Sequence, residues 1–213
     1  MRSISKIFPV LSLLLFLPAA TAAASDTQAG ESDPVILVLG DSLSAAYNME
    51  MSESWPSLLN DRLTEDGHAY LVFNSSIVGD TTQSGVSRLP RLLAEYQPQV
   101  VIIELGGNDG LRGLPLEVTQ SNLQSMIDQS QAIGASVVLA GIRIPPNYGK
   151  TYTERFSKMY TELAAVQGVQ FIPFLLEGIA LDPESMMEDG IHPTANAQPL
   201  LLDTVWLALE PVL

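Results

Sequence analysis

The chain has 213 residues and carries 24 acidic residues against 10 basic ones, which gives a formal net charge of −14. This excess of negative charge repels nucleic acid and anionic lipid surfaces, so we expect neither as a partner. The sequence contains no cysteine, which excludes disulfides, a cysteine nucleophile and anchoring through a lipidated N-terminal cysteine.

The first 24 residues have the order of a secretory signal peptide. A short basic start, "MRSISK", precedes the apolar run "IFPVLSLLLFLPAA", and small residues that suit cleavage follow it. The apolar run contains two prolines and is shorter than the roughly 20 apolar residues that a membrane span needs. We therefore expect residues 1–24 to be removed, residues 25–33 to form a flexible lead-in, and residues 34–213 to form one domain without a membrane anchor.

Apolar runs alternate with amphipathic stretches after the expected cleavage site. Runs that are short, rich in Val, Ile and Leu, and largely without alternation are typical of parallel strands buried on both faces. They occupy residues 35–40, 69–76, 100–106, 136–142 and 169–174. The amphipathic stretches predict helices near 53–66, 84–96, 117–133, 152–167 and 195–210. This order predicts a three-layer α/β/α sandwich with about five parallel strands.

Ser42 directly follows the first predicted strand, in the motif "GDSLS". Parallel strands end at a common edge of the sheet, and ligands bind outside that edge. We predict that Ser42 opens the first helix, where backbone N–H groups and the helix dipole stabilise negative charge. Taken alone, Ser42 is better explained as a helix cap, and Asp41 as a cap or turn residue without a chemical role.

Two further motifs follow the second and third predicted strands. Gly79, in "SIVGDTTQSG", offers a backbone N–H that a ligand approaches without a Cβ in the way. Asn108, in "LGGNDGLRGLP", carries a side-chain amide that could point at the same place. Each residue also suits an ordinary turn. The segment from Gly110 to Pro115 contains further glycine and is expected to be a mobile loop.

The fourth motif, "EDGIHPTANAQPLL", lies just before the last predicted helix. It places Asp189 three residues before His192. A carboxylate bonded to one imidazole nitrogen leaves the other nitrogen available as a base. Taken alone, His192 is explained as an exposed turn residue. Together, however, the four motifs supply a nucleophile, a base with its orienting acid and two oxyanion donors, which are the roles that acyl transfer needs.

These motifs are similar to the signature blocks of the GDSL, or SGNH, hydrolases, a family named after a Ser, a Gly, an Asn and a His. The corresponding residues are Ser42, Gly79, Asn108 and His192. The similarity extends from about Pro34 to the end of the chain and includes "SWPSLLNDRL" and "RIPPNYGKTYTERF". It is strongest to periplasmic family members that act as thioesterases, arylesterases and lysophospholipases.

The resemblance implies a flavodoxin-like sandwich and a serine hydrolase that needs no cofactor. Ser42 would be the nucleophile, His192 the general base, and Asp189 the residue that orients His192. The oxyanion hole would consist of the backbone N–H groups of Ser42 and Gly79 and the side-chain amide of Asn108. With two histidines far apart in the sequence and no cysteine, we expect no metal site.

The resemblance also assigns two residues to substrate binding. Gly107 would begin a loop that shifts when substrate binds, and Ile144 would line the acyl crevice. The implied partner is a small-molecule acyl ester or thioester, bound by a monomer in the periplasm or the external medium.

Two other functions remain open at this point. Carbohydrate O-acetylesterases share the four blocks, and a panel of acyl lengths would separate them, because an acetylesterase rejects octanoyl and longer chains. A non-catalytic acyl or lipid carrier on the same scaffold is the second alternative, although a carrier has no use for Ser42, Asp189 and His192 together.

Overall fold

The computed structural model describes residues 33–165 and 168–213. The signal peptide expected at residues 1–24 and nearly all of the expected lead-in lie outside these described residues. Within the described ranges, no helix combines the length and the apolar character that crossing a membrane requires.

Five parallel strands form one sheet in the described part of the chain. They are β1 (Val35–Gly40), β2 (Leu71–Asn74), β3 (Val100–Glu104), β4 (Ser136–Ala140) and β5 (Val169–Ile172). Their order across the sheet is β2-β1-β3-β4-β5, which is the order of flavodoxin-like sheets. The predicted fold class is therefore confirmed, and every strand lies within its predicted range.

Six α-helices accompany the sheet in the same described ranges. They are α1 (Trp55–Glu65), α2 (Thr82–Tyr96), α3 (Gly107–Leu111), α4 (Leu116–Ala132), α5 (Lys150–Ala164) and α6 (Gln198–Leu209). Five of them match the predicted helices to within a few residues. The short helix α3 is the exception, because its sequence, "GNDGL", contains two glycines and predicts only a loop.

The alternation of side chains along each strand divides the core into two layers. Ile36 and Val38 of β1 pack with residues of α1 and α6, whereas Leu37 and Leu39 pack with residues of α2, α4 and α5. All four side chains are fully buried. A strand in this position needs apolar residues on both faces, which explains the unbroken apolar run of β1.

The strand order positions the functional motifs. The chain leaves β1 for β2 on one side and then crosses back to β3 on the other side of β1. Ligands bind in the crevice that opens outside the carboxyl ends of the strands at such a reversal. Gly40 of β1 pairs with Glu104 of β3, so the segments with Ser42 and Asn108 leave the sheet side by side at this crevice.

Candidate active site

Ser42, His192 and Asp189 form a continuous chain of hydrogen bonds. Nε2 of His192 lies 2.8 Å from Oγ of Ser42, and Nδ1 of His192 lies 2.7 Å from Oδ2 of Asp189. The other carboxylate oxygen of Asp189 accepts the backbone N–H groups of Ile191 at 2.9 Å and His192 at 3.0 Å. The imidazole is thus held between a hydroxyl and a carboxylate that its own loop fixes.

The surroundings of Asp189 favour its charged form. Burial raises the pKa of this carboxyl, but hydrogen bonds from the backbone and imidazole of His192 and from the backbone of Ile191 outweigh that effect. The net result lowers the pKa of Asp189 from 3.8 to about 2. Asp189 is therefore negatively charged at neutral pH and can stabilise a positive charge on His192.

Backbone pairing closes the loop that carries Asp189 and His192. Met186 and Pro193 form an isolated antiparallel bridge, and the N–H of Met187 donates to the carbonyl oxygen of His192 at 2.8 Å. Gly190 adopts a φ of 65°, a left-handed conformation that favours glycine. These features explain how "EDGIHP" brings a carboxylate and an imidazole together within one turn.

The prediction that Ser42 begins a helix is wrong. Residues 42–48 form consecutive turns, and the first α-helix begins at Trp55. Ala46 and Asn48 have φ values of 55° and 54°, which no right-handed helix accommodates. A helix dipole therefore does not act on Ser42, and individual backbone N–H groups must stabilise any negative charge that develops there.

Tyr47 contacts the imidazole, although nothing in the sequence singled it out. It lies between the two left-handed residues, and its ring centroid is 4.1 Å from that of His192, with an angle of 31° between the ring planes. The contact covers one face of the imidazole and limits its rotation. Because Tyr47 and His192 lie near opposite ends of the chain, only the folded structure reveals this pair.

Asp41 holds the side chain of Asn108, in addition to acting as the turn residue that the sequence indicated. Nδ2 of Asn108 donates to Oδ2 of Asp41 at 3.0 Å, and the backbone N–H of Leu43 donates to Oδ1 at 3.1 Å. The amide of Asn108 has a second hydrogen to donate elsewhere. Asp41 therefore fixes the orientation of Asn108 next to the segment that carries Ser42.

Buried contacts hold α3 against the start of α2. The side chain of Asp109 accepts the backbone N–H of Thr82 at 3.0 Å and its hydroxyl at 2.5 Å. Gly106, which precedes α3, has a φ of 116°, and a Cβ there would lie 2.2 Å from the hydroxyl oxygen of Tyr160. These contacts explain the glycine and the aspartate of "GGND" and fix the helix that carries Asn108.

Gly79 lies in the turn between β2 and α2 with a φ of 78°, so this position favours glycine. Its carbonyl oxygen accepts a hydrogen bond from Nη2 of Arg112 at 2.9 Å. The N–H of Ile77 donates to the carbonyl oxygen of Gly40 at 3.1 Å. These bonds join the Gly79 turn to the segments after β1 and β3, and so link three of the four motifs.

A cavity of about 580 Å³ opens beside Ser42 and His192. Gly107 and Ile144, the two residues expected to bind substrate, both line it. The other apolar side chains in its wall include Leu111, Ile142, Phe174, Leu176 and Ile191. A mainly apolar cleft with a few polar groups at one end is typical of a site for a small, largely apolar ligand.

Glu104 is a buried carboxyl beneath the site that the sequence did not indicate. Its Oε2 accepts the backbone N–H of Asp41 at 3.1 Å and the hydroxyl of Ser44 at 2.8 Å. Complete burial raises the pKa of Glu104 well above its ordinary value, and the charge of Asp41 raises it further. Burial also raises the pKa of Asp41 from 3.8 to about 6, against the lowering effect of hydrogen bonds from Leu43 and Asn108.

We expect Glu104→Gln to stabilise the protein more at about pH 8 than at about pH 5. Because the pKa of Glu104 is raised on folding, the folded state keeps a proton that the unfolded chain releases above the ordinary pKa of 4.5. The free energy of unfolding of the wild type therefore falls by up to about 1.4 kcal/mol per pH unit above that value, whereas Gln has no proton to release. Urea unfolding at both pH values measures the difference.

The exposed Glu65→Gln on α1 is the control for this experiment and should give the same small change at both pH values. A Glu104→Gln effect that does not grow with pH would show that Glu104 does not retain its proton in the folded state.

Comparison with known proteins extends the agreement beyond the motifs. The model of the GDSL-like lipase/acylhydrolase family matches residues 38–198. An arylesterase of Vibrio mimicus is 50% identical over 196 residues, which cover 92% of this chain and 94% of the relative. The Escherichia coli K12 protein named thioesterase 1/protease 1/lysophospholipase L1 is 44% identical over 200 residues, with 94% and 91% coverage. A crystal structure of TesA, 50% identical, aligns with a TM-score of 0.82 over 84% of this chain and 99% of that chain.

Identity at this level includes the segments between the motifs and nearly the whole length of each relative. The same relatives carry esterase and thioesterase names, and the five-stranded parallel sheet is shared with a solved structure of this group. The chain therefore belongs to the GDSL-like lipase/acylhydrolase family and is an ester hydrolase of the arylesterase and thioesterase I type.

Proposed function

We propose that the protein hydrolyses carboxylic esters and thioesters, including aryl esters and lysophospholipids, through a covalent acyl-enzyme on Ser42. The observation that carries the proposal is the hydrogen-bonded chain from Ser42 through His192 to Asp189 at one end of an apolar cavity. The names of the relatives, an arylesterase and a thioesterase and lysophospholipase, support this range of substrates.

In the first half-reaction, Oγ of Ser42 attacks the carbonyl carbon of the substrate while Nε2 of His192 takes the hydroxyl proton. The 2.8 Å separation of these atoms is within the range for direct proton transfer. The imidazolium that forms then gives its proton to the departing alcohol or thiol as the ester or thioester bond breaks. Asp189 remains charged and stabilises the imidazolium.

In the second half-reaction, water attacks the acyl group on Ser42. His192 takes a proton from the water and returns it to Oγ of Ser42 when the carboxylic acid leaves. The enzyme is then in its starting state, and the reaction consumes only water.

The oxyanion of each tetrahedral intermediate would accept hydrogen bonds from the backbone N–H groups of Ser42 and Gly79 and from the amide of Asn108. Donors that are fixed before the reaction stabilise the transition state most, because they need no reorganisation. The bond from Asn108 to Asp41 and the bond from Arg112 to Gly79 supply such fixation.

Asn108→Ala is expected to lower kcat by about 10²- to 10³-fold with little change in KM. The amide acts mainly on the charge that develops in the transition state, so its loss reduces turnover more than substrate binding. Steady-state kinetics on an aryl ester measure both constants. The control is Asn60→Ala at an exposed position on α1, outside the cavity lining, which should retain kcat; an unchanged kcat in Asn108→Ala would remove Asn108 from the oxyanion hole.

The volume of the cavity favours long acyl groups over the acetyl group of a carbohydrate O-acetylesterase. An acetyl group would leave most of the apolar wall exposed to water, whereas each further buried methylene gains about 0.8 kcal/mol. Ile144 and its apolar neighbours would then contact the chain along its length.

A panel of aryl esters from acetyl to dodecanoyl, with a matched thioester and a lysophospholipid, tests the proposed function. We expect kcat/KM to rise from acetyl to chains of medium length and to fall or level off once the cavity is full. Hydrolysis of the acetyl ester alone would favour an acetylesterase, and fatty-acid binding without any turnover would favour a carrier.

We infer further that the protein acts outside the cytoplasm, as a monomer and without a stable membrane anchor. The basic, apolar and small-residue order of the first 24 residues supports export. The site as proposed needs residues of a single chain, and its chemistry requires neither a cofactor nor a nucleic acid.

A further inference from the structure

Arg112 differs from the other basic side chains of residues 33–165 and 168–213 because it forms no ion pair with a carboxylate. Each of the other seven lies within 3.7 Å of a carboxylate oxygen: Arg62, Arg88, Arg91, Arg143, Lys150, Arg155 and Lys158. Within these ranges, no such ion pair involves Arg112. From Ser25 onward the chain has 24 acidic residues and 8 basic ones, so a basic side chain without a carboxylate partner requires an explanation.

Arg112 lies immediately next to the proposed oxyanion hole. It follows α3, and its Nη2 donates to the carbonyl oxygen of Gly79 at 2.9 Å. The side chain is exposed. A guanidinium group has five N–H donors in a planar fork, so the bond to Gly79 positions the group and leaves further donors for a ligand.

Arg112 and Gly79 both lie outside the lining of the acyl cavity. The residues that line the cavity follow β1, β3, β4 and β5, and neither Gly79 nor Arg112 is among them. The strand that precedes Gly79, β2, lies on the opposite side of β1 from the other strands. When an acyl chain fills the cavity, the alcohol lies outside it: its oxygen faces Nε2 of His192, which returns the proton, and its far end is free to extend past the oxyanion hole toward Arg112.

We propose that Arg112 binds a phosphate group on the alcohol that leaves, and so directs the enzyme toward acyl esters with a phosphate close to the scissile bond. This inference rests on the proposed acyl hydrolysis at Ser42. Guanidinium matches the geometry of phosphate with two parallel charge-assisted hydrogen bonds. In a chain with such an excess of negative charge, an anionic substrate needs a local positive group at its binding site.

The tether to Gly79 limits how far the guanidinium reaches. A phosphate separated from the ester by a single glycerol unit, as in a lysophospholipid, lies within that reach. The phosphates of coenzyme A lie beyond a long pantetheine arm and do not. Arg112 therefore distinguishes two kinds of phosphate-bearing acyl substrate.

Three substrates with the same decanoyl chain test the proposal: a monodecanoyl glycerol, the corresponding decanoyl lysophosphatidate, and decanoyl-coenzyme A. The decisive quantity is the ratio of kcat/KM for the lysophosphatidate to kcat/KM for the neutral glycerol ester. We expect Arg112→Gln to lower this ratio by about 10- to 100-fold, because hydrogen bonds to a charged group are lost. Arg112→Lys, which keeps the charge, should recover part of the ratio.

The matched control is Arg91→Gln, which removes the same charge from an exposed position on α2 and should leave the ratio unchanged. If Arg112→Gln left the ratio for the lysophosphatidate and the glycerol ester unchanged, the proposal would be overturned. An equal loss of kcat/KM on both esters is such a result, and it would mean that Arg112 only supports Gly79. If Arg112→Gln lowered the ratio of kcat/KM for decanoyl-coenzyme A to kcat/KM for the glycerol ester by an equally large factor, the limit on how far Arg112 reaches would be overturned. Failure of the proposed function is a separate result, since the wild type would then hydrolyse none of the three substrates.

Discussion

Ser42→Ala is expected to lower kcat by about 10⁶-fold. The substitution removes the oxygen that forms the acyl-enzyme, and water in its place would lack the contact with Nε2 of His192 that now measures 2.8 Å. Substrate binding should change little, because the apolar cavity and the proposed oxyanion donors remain. Hydrolysis of an aryl ester under saturating substrate measures the loss, and a kcat within tenfold of the wild type would eliminate Ser42 as the nucleophile.

Covalent labelling provides an independent measurement on the same variant. A fluorophosphonate reagent should modify the wild type once, at Ser42, as determined by peptide mass mapping. The control Ser87→Ala, at an exposed position on α2, should be labelled at the wild-type rate. Labelling of Ser42→Ala at that same rate would place the reactive hydroxyl elsewhere in the chain.

The approach of the segments that carry Ser42 and Asn108 was predictable from the sequence for a simple physical reason. Parallel strands are recognisable as short apolar runs, and their carboxyl ends share one edge, so residues that follow different strands approach one another. The turn with Asp189 and His192 was predictable because both residues lie within a few positions of each other. These inferences needed only local patterns and the geometry of the sheet.

The supporting contacts were not predictable in this way. Tyr47 stacks on His192, and Glu104 accepts hydrogen bonds from the segment after β1. Both contacts join residues far apart in the chain through side-chain packing, which has no sequence period. The missing helix at Ser42 has the same origin: Asn74 donates to the carbonyl oxygen of Ser44 at 2.7 Å, and this tertiary bond helps to hold the segment in turns.

The structure also bears on the response of activity to acid. Proton transfer from Ser42 requires a neutral imidazole on His192. Asp189, with a pKa of about 2, keeps its charge in mild acid and continues to orient that imidazole. Asp41, with a pKa of about 6, gains a proton as the pH falls below that value, and its weaker attraction for the amide of Asn108 should lower the activity.

Asp189→Asn is expected to lower kcat by about 10⁴-fold although it preserves the shape of the site. The side-chain oxygen of Asn can still accept the backbone N–H groups of Ile191 and His192, which now bond to Oδ1 of Asp189. The amide nitrogen, however, would take the place of Oδ2 and donate a hydrogen to Nδ1 of His192. The imidazole would then carry its own hydrogen on Nε2 and could no longer accept the proton of Ser42.

The change in the tautomer of His192 distinguishes this prediction from a general loss of structure at the site. KM should stay within a few-fold of the wild type, and the fluorophosphonate reaction at Ser42 should slow in parallel with kcat, since both need the same base. Lowering the pH does not reproduce the substitution in the wild type, because the pKa of about 2 keeps Asp189 ionised in mild acid and leaves the orienting carboxylate intact. A kcat for Asp189→Asn within tenfold of the wild type would show that the imidazole does not depend on this carboxylate, and the base would have to be sought elsewhere.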